Sequence, residues 1–272
     1  MEIKKILKKL NIKPSKELGQ NFLLDGSVLD RIVESAKIEK NETVLEIGPG
    51  LGFLTDRLIE ITNRLILVEK DKRLFKYLEN KYKNVDELTM INDDILKLNL
   101  SKILPNRYKV VANIPYNITS RIIYLLIETK PRAESITLLV QKEVAEKIVP
   151  KKNKQTPLSL LVKLLGKGEI IANVNKSCFF PIPKIDSAIV QISNIDQNLD
   201  LTDEANKSLL RLIKIGFSSP RKKLVNNLAN GLGLDKAKIE QILKDLKIEP
   251  KVRAEELGIG FWKEFGKSLS LD

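Results

Sequence analysis

The sequence predicts an α/β fold, a doubly wound parallel sheet with helices on both faces, followed by a small all-helical part. Three observations predict it. Short apolar runs alternate with helix-period segments between Thr43 and Val140. A glycine turn, Gly48-Pro49-Gly50-Leu51-Gly52, follows the first of those runs and opens a helical pattern. From Asp203 onward every apolar repeat has helical spacing.

The bulk properties narrow the chemistry. At 272 residues and 43% hydrophobic content, the chain has material for a large core or for a medium and a small one. Lys+Arg 47 against Asp+Glu 35 leaves +12, which favours a polyanionic partner such as nucleic acid or an anionic membrane surface. A single cysteine, Cys178, and no histidine exclude an internal disulfide, the usual zinc sites and histidine triads, so no metal is expected. No apolar run approaches the ~18 residues of a membrane span, and the lysine-rich start lacks a signal-peptide core. A cytoplasmic protein without a membrane partner is expected.

In chain order, residues 1–16 set six lysines around Ile3, Ile6, Leu7 and Leu10, which reads either as a solvated helix or as a basic arm for phosphate. Leu18-Gly19-Gln20-Asn21-Phe22-Leu23 has no helical period; Asp25 or Ser27 then caps a helix facing inward with Val28, Ile32 and Ala36. Thr43 to Ile47 is the first strand, followed by a helix through Leu54, Leu58 and Ile61. Arg64 to Val68 is the second, followed by a helix carrying Leu74, Leu78 and Tyr82. Leu88 to Ile91, Lys109 to Ala112 and Ser135 to Val140 are the next three, with a helix over Ile122 to Ile127. Ile185 to Ser193 alternates like a strand that completes the sheet. Residues 1–194 are thus expected as one domain, 195–202 as a polar linker and 203–272 as a helical domain. The helical domain is marked by Leu209, Leu212 and Ile213, by Leu224 and Leu228, by Ile239, Ile242, Leu243 and Leu246, and by Phe261, Phe265 and Leu269.

Four features carry chemistry. The glycine turn allows a backbone to approach a ligand closely, but Phe53 stands where a dinucleotide fingerprint has glycine or alanine, which disfavours NAD. Glu69 ends the second strand 21 residues past Gly48, where a carboxylate accepts both hydroxyls of a cofactor ribose; otherwise it is a surface glutamate. Asp94 follows the third strand and is placed to accept an adenine amine, with Asp93 as an alternative or as a helix cap. Asn113-Ile114-Pro115-Tyr116 ends the fourth strand. The Asn113 amide oxygen and the Ile114 carbonyl are two acceptors for an exocyclic amine, Pro115 stiffens the turn without a competing N–H, and Tyr116 offers a stacking face. Taken alone, the same tetrad also reads as a proline turn with a packed tyrosine.

Together these motifs resemble class I S-adenosylmethionine-dependent methyltransferases acting on N6 of adenine. More narrowly, the chain resembles the small-subunit ribosomal RNA adenine N6-dimethyltransferases of the KsgA type. Leu18–Leu23, Gln141-Lys142-Glu143-Val144-Ala145, Phe179-Phe180-Pro181-Ile182-Pro183-Lys184-Ile185-Asp186-Ser187-Ala188 and Arg253-Ala254-Glu255 extend the resemblance over residues 18–255. It implies a Rossmann-like methyltransferase sheet, mostly parallel with one antiparallel strand, and S-adenosyl-L-methionine as cofactor. It implies that Asn21 and Leu23 contact the methionine end, Gly48 and Gly50 lie under it, Glu69 binds the ribose, and Asp94 with Ile95 holds the adenine. Asn113 borders both cofactor and target, and Phe179 stacks on the target base opposite Tyr116; from the residues alone, Phe179 is equally a core residue. The implied partner is small-subunit rRNA in a pre-30S particle, gripped through Arg211, Lys214, Arg221, Lys222 and Lys223, with the protein a monomer and the product two adjacent dimethyladenosines near the 3′ end of 16S rRNA. Three rivals stand. The macrolide-resistance enzymes that methylate large-subunit rRNA are favoured slightly by isoleucine in the tetrad but opposed more strongly by Leu18-Gly19, Asp186-Ser187-Ala188 and Arg253-Ala254-Glu255. The others are a DNA adenine methyltransferase, whose tetrad usually has proline where Ile114 stands, and a non-catalytic rRNA-binding assembly factor.

Overall fold

The computed structural model describes residues 2–15, 17–115, 118–151 and 154–270. In chain order the elements are α1 (Glu2–Lys9), β1 (Phe22–Leu23), α2 (Gly26–Ala36), β2 (Thr43–Ile47), α3 (Phe53–Leu58), β3 (Arg64–Val68), α4 (Lys72–Lys81) and β4 (Leu88–Ile91). There follow β5 (Tyr108–Asn113), α5 (Thr119–Glu128), β6 (Ser135–Gln141), α6 (Lys142–Ile148), α7 (Pro157–Leu165), β7 (Lys167–Val174), β8 (Phe179–Phe180) and β9 (Ser187–Ser193). The last four helices are α8 (Glu204–Gly216), α9 (Leu224–Leu232), α10 (Lys236–Asp245) and α11 (Ile259–Ser270).

The chain divides into two compact units, residues 1–145 with 169–197, and residues 146–168 with 198–272. In the first, the described residues form a seven-stranded sheet in the order β4-β3-β2-β5-β6-β9-β7. The pairs β4–β3, β3–β2, β2–β5 and β5–β6 are parallel, and β9 runs antiparallel to β6. All five residues of β2 are buried, as a strand covered on both faces requires. Asp25 caps α2 by accepting from the Val28 N–H, and Leu29, Ile32, Val33 and Ala36 turn inward onto Val44, Leu65, Val111 and Leu139. Strand order reverses between β2 and β5, and ligands of open α/β sheets bind at the carboxyl ends of strands at such a switch.

Several details differ from the sequence expectation. The lysine-rich start is not solvated all round: Ile3, Leu7 and Ile12 are buried against Phe22, Leu51 and Leu74, because spacing of three to four puts the apolar residues of α1 on one stripe. α3 ends at Leu58, leaving Ile61 in an exposed turn, and β9 begins at Ser187 rather than Ile185. β7 was not apparent from its sequence, Lys-Gly-Glu-Ile-Ile-Ala-Asn-Val. It lies at the sheet edge, so all its residues except Val174 stay exposed or half-exposed and show no clean alternation. A second sheet is invisible in the sequence: β1 pairs with β8, Phe22 opposite Phe180 and Leu23 opposite Phe179.

The second unit is helical. Leu160 of α7 shares a core with Leu212, Leu224, Leu228, Ile239, Leu243, Trp262 and Phe265. The segment 146–168 therefore packs with the helices rather than with the sheet-bearing unit in which the sequence reading put it. Trp262 is fully buried, and Gly216 makes room for it, since a Cβ there would lie 2.1 Å from the indole. Residues 195–197 belong to the first unit rather than to a free linker; Ile195 is buried and the Asp196 carbonyl accepts from Arg132.

Candidate active site

One cleft lies along the carboxyl ends of β2, β3 and β5, at the switch in strand order, and it collects most of the sequence-selected residues. Its first wall is the glycine turn. Gly48 and Gly50 adopt φ of 68° and 62°, in the left-handed region that glycine enters without strain. A Cβ on Gly48 would lie 3.8 Å from Pro115 Cδ, so the glycine turn and the Asn113–Pro115 segment abut across the cleft.

Glu69, at the end of β3, is buried at 6% exposure. The Gly50 N–H donates to its Oε2 at 3.0 Å and the Asp71 N–H to its Oε1 at 2.8 Å. Burial pushes its pKa up, while those two N–H donors act in the opposite sense. Each carboxylate oxygen has a second lone pair, so the group remains an acceptor for a vicinal diol. Asp94 Oδ1 accepts from the Leu96 N–H at 3.1 Å, and Lys70 Nζ lies 3.0 Å from Oδ2. Burial raises the Asp94 pKa, but the Leu96 N–H and the Lys70 ammonium outweigh it and hold the carboxyl below its ordinary value. Asp93 bonds locally, accepting from the Asp94 N–H at 2.6 Å, and both aspartates line the cleft beside the buried Ile95.

Asn113 closes β5. Its Nδ2 donates to the Asn21 carbonyl at 3.3 Å, which orients the amide so that Oδ1 is the acceptor left for a ligand. Asn21 and Leu23 line the same cleft. The Ile118 N–H and the Thr119 hydroxyl donate to the Pro115 carbonyl, not to that of Ile114. Tyr116 lies outside the described residues. Phe179 is not brought to the cleft. It is 2% exposed, packed with Leu23, Val174 and Ile189, because its pairing opposite Leu23 turns its ring into the core and leaves Phe180 half-buried on the other side. In the helical unit Arg211, Lys214, Arg221, Lys222 and Lys223 are all exposed. The turn preceding the last three is fixed by Asn227, whose Nδ2 donates to the carbonyls of Gly216 and Ser219.

Residues 11–264 match the model of the ribosomal RNA adenine dimethylase family. The chain belongs to that family. This dimethylase-family chain is 37% identical to "Ribosomal RNA small subunit methyltransferase A" of Dehalococcoides mccartyi, over 97% of this chain and 91% of that one. The protein of the same name from Clostridium botulinum is also 37% identical, over 98% and 97%. Among solved structures, a dimethyladenosine transferase from Plasmodium falciparum aligns with TM-score 0.76 and 26% identity over 92% of this chain and 98% of that one. The 23S rRNA methyltransferase ErmE aligns with TM-score 0.74 and 26% identity over 92% and 99%.

Several cleft residues of this dimethylase-family chain escaped the sequence reading. Glu46 is buried at 1% in the middle of β2; burial pushes its pKa up to about 8, against the Thr55 hydroxyl that donates to it at 2.7 Å. An acid inside an otherwise apolar strand was the signal for it. Lys70 and Gln20 carried no such signal. Gln20 Nε2 donates to Asp71 Oδ2 at 3.0 Å, and Arg73 with Gln20 holds the Asp71 pKa at about 2 despite burial. Among the described residues, no cluster of acidic, cysteine or histidine side chains suits a metal ion, and no helix is long and apolar enough to cross a membrane.

Proposed function

We propose that the cleft binds S-adenosylmethionine and transfers its methyl group to N6 of adenosines in small-subunit rRNA, twice per base. The targets are two adjacent adenosines in a loop near the 3′ end of 16S rRNA, and the cytoplasmic monomer acts on a pre-30S particle. One observation carries this reading: a glycine turn and a buried glutamate with lone pairs left to accept a diol stand on one side of a cleft, and an amide acceptor beside Pro115 stands across from them.

The cleft's groups suit that cofactor. The Glu69 carboxylate fits the ribose hydroxyls, Asp94 the adenine amine, Ile95 the ring, and the Gly48–Gly50 backbone with Asn21 and Leu23 the amino-acid end. S-adenosylmethionine supplies a sulfonium-activated methyl, so no metal or covalent enzyme intermediate is required. The work left to the chain is positioning, with reacting atoms held about 3–3.5 Å apart. An aromatic amine is a poor nucleophile because its lone pair is delocalised into the ring. Asn113 Oδ1 and the Ile114 carbonyl, by accepting its two hydrogens, favour the pyramidal amine whose lone pair points outward. As the N–C bond forms the S–C bond would break, leaving S-adenosylhomocysteine, and the proton of the resulting cationic amine would pass to solvent water, so no histidine or other dedicated base is invoked. Tyr116 stacks on the target base, and Phe179 joins it if base entry draws its ring out of the core. A paired or stacked adenosine must be turned out to enter, at a cost of a few kcal/mol. Arg211, Lys214 and Arg221–Lys223 bind the phosphates of folded RNA.

Overall likeness to the Plasmodium dimethyladenosine transferase and to ErmE is nearly equal, so the fold supports large-subunit rRNA as a second reading. The small-subunit reading rests on the relatives at 37% identity. Incubating the protein with S-adenosylmethionine and unmethylated 30S or 50S particles, then mapping dimethyladenosine by mass spectrometry, separates the two. Label confined to 50S particles overturns the small-subunit proposal; label in neither favours the non-catalytic assembly factor.

A further inference from the structure

We propose that α4 is a strut that sets the distance between Glu69 and the glycine turn, with Tyr82 and Lys81 as positioning residues for cofactor binding. The inference rests on the S-adenosylmethionine reading above and extends it to side chains outside the cleft.

At its amino end, α4 is capped by Asp71, whose side chain accepts from the Arg73 N–H. The Asp71 N–H itself donates to Glu69 Oε1. At its carboxyl end, the Tyr82 hydroxyl lies 2.8 Å from the Gly52 carbonyl oxygen and 2.7 Å from Asp56 Oδ1. Lys81 Nζ reaches the Leu51 carbonyl at 3.2 Å, the Gly52 carbonyl at 3.4 Å and Asp56 Oδ2 at 2.7 Å. Ten helical residues span about 15 Å, so one rigid element holds both halves of the cofactor end.

The glycine turn is therefore held from two sides. Glu69 takes the Gly50 N–H from within the cleft; from behind, Lys81 donates to the Leu51 and Gly52 carbonyls. The one Tyr82 hydroxyl proton is shared between the Gly52 carbonyl, which also accepts from the Asp56 N–H, and Asp56 Oδ1. The turn is also closed on itself by the Gly52 N–H donating to the Pro49 carbonyl at 2.8 Å. Gly52 has its own reason to be glycine: φ is 79°, and a Cβ would lie 2.3 Å from the Tyr82 oxygen and 3.1 Å from Lys81 Nζ. The third glycine of the motif thus makes room for the brace rather than for a ligand. Tyr82 is 4% exposed, and burial together with Asp56 pushes its pKa well up, so the hydroxyl stays a neutral donor. Without that donor, the Gly52 carbonyl keeps only the Asp56 N–H at 2.9 Å and Lys81 Nζ at 3.4 Å. The back of the turn is then held less tightly, while the Gly48 and Gly50 N–H groups still reach the Val68 carbonyl and Glu69.

The test is Tyr82→Phe, which keeps the ring and removes the hydroxyl, compared with wild type in three measurements. These are the calorimetric Kd for S-adenosylhomocysteine, the Kd for an rRNA fragment, and Tm. The expected result is S-adenosylhomocysteine binding weakened about tenfold with rRNA affinity held within twofold. Unchanged S-adenosylhomocysteine binding overturns the strut, and so does an equal loss of both affinities, which marks general destabilisation. Lys81→Met removes the other donor from the solvent side and carries the same comparison if the phenylalanine variant does not fold. Failure of the wild type to bind S-adenosylhomocysteine overturns the cofactor reading itself, which is a different result from a variant that binds as wild type does.

Discussion

The two ends of the cleft are built differently. At the cofactor end each acid has fixed donors: Glu69 takes two backbone N–H groups, Asp94 takes the Leu96 N–H and the Lys70 ammonium, and Asp71 takes Gln20 and Arg73. At the target end, Asn113 is oriented by one bond of 3.3 Å and Phe179 is packed away in the core. Under the proposed function, the difference follows from what each end binds. A small cofactor of constant shape rewards a site formed in advance, since groups already ordered lose little further entropy on binding. A base delivered on a folded RNA brings its own binding energy, and part of that energy is available to complete the site.

The sharpest way to break this comparison is to remove one acceptor from each end. Asn113→Ala is expected to lower single-turnover methylation at least about a hundredfold while leaving S-adenosylhomocysteine affinity within a few-fold. Glu69→Gln is expected to do the reverse, weakening S-adenosylhomocysteine by about ten- to a hundredfold through loss of charge-assisted hydrogen bonds. Rates from quenched reactions and Kd values from calorimetry give both numbers. If Asn113→Ala weakens the cofactor as much as Glu69→Gln does, the two ends are not separate.

The same division marks what the sequence could reveal. The cofactor end was legible because its parts lie close in sequence and each has a backbone reason: a buried strand, a turn at positive φ, an acid at a strand end. Glu69 and Asp94 line the cleft, as their places at strand ends predict. The bracing was not legible, since helical spacing assigns Tyr82 to an inward face and cannot say that its hydroxyl meets Gly52. The surroundings of Phe179 were open from sequence because they depend on the β1–β8 pairing, which joins residues far apart in the chain. Likewise, the apolar pattern of 157–165 marks a helix without saying which core receives it, and the structure gives it to the helical unit.

A smaller effect is expected from the basic turn ahead of α9. Replacing Arg221, Lys222 and Lys223 together by alanine removes three exposed cations and leaves the Asn227 bonds to the Gly216 and Ser219 carbonyls in place. If all three meet phosphates, the slope of log affinity for rRNA against log salt falls by about 2 to 3. S-adenosylhomocysteine binding is expected to be unchanged. Filter binding across a salt series measures the slope, and an unaltered slope removes this turn from the RNA contact.

A last expected effect, on stability rather than on binding, tests the cost of a site formed in advance. Glu46 lies buried beneath the glycine turn, its pKa raised by burial from 4.5 to about 8, with the charge of Glu69 adding to the rise. Between those values the folded protein holds a proton that the unfolded chain has released. The folded state then binds more protons, and stability falls as pH rises through that window. Glu46→Gln removes the titration, and its amide oxygen can still accept from the Thr55 hydroxyl. Its Tm is therefore expected to match wild type near pH 4.5 and to exceed it by a margin that widens up to about pH 8, then levels off. Thermal melts at several pH values read this directly. A difference that stays constant across the window would mean that Glu46 is charged throughout, and that the cofactor end tolerates two buried carboxylates side by side.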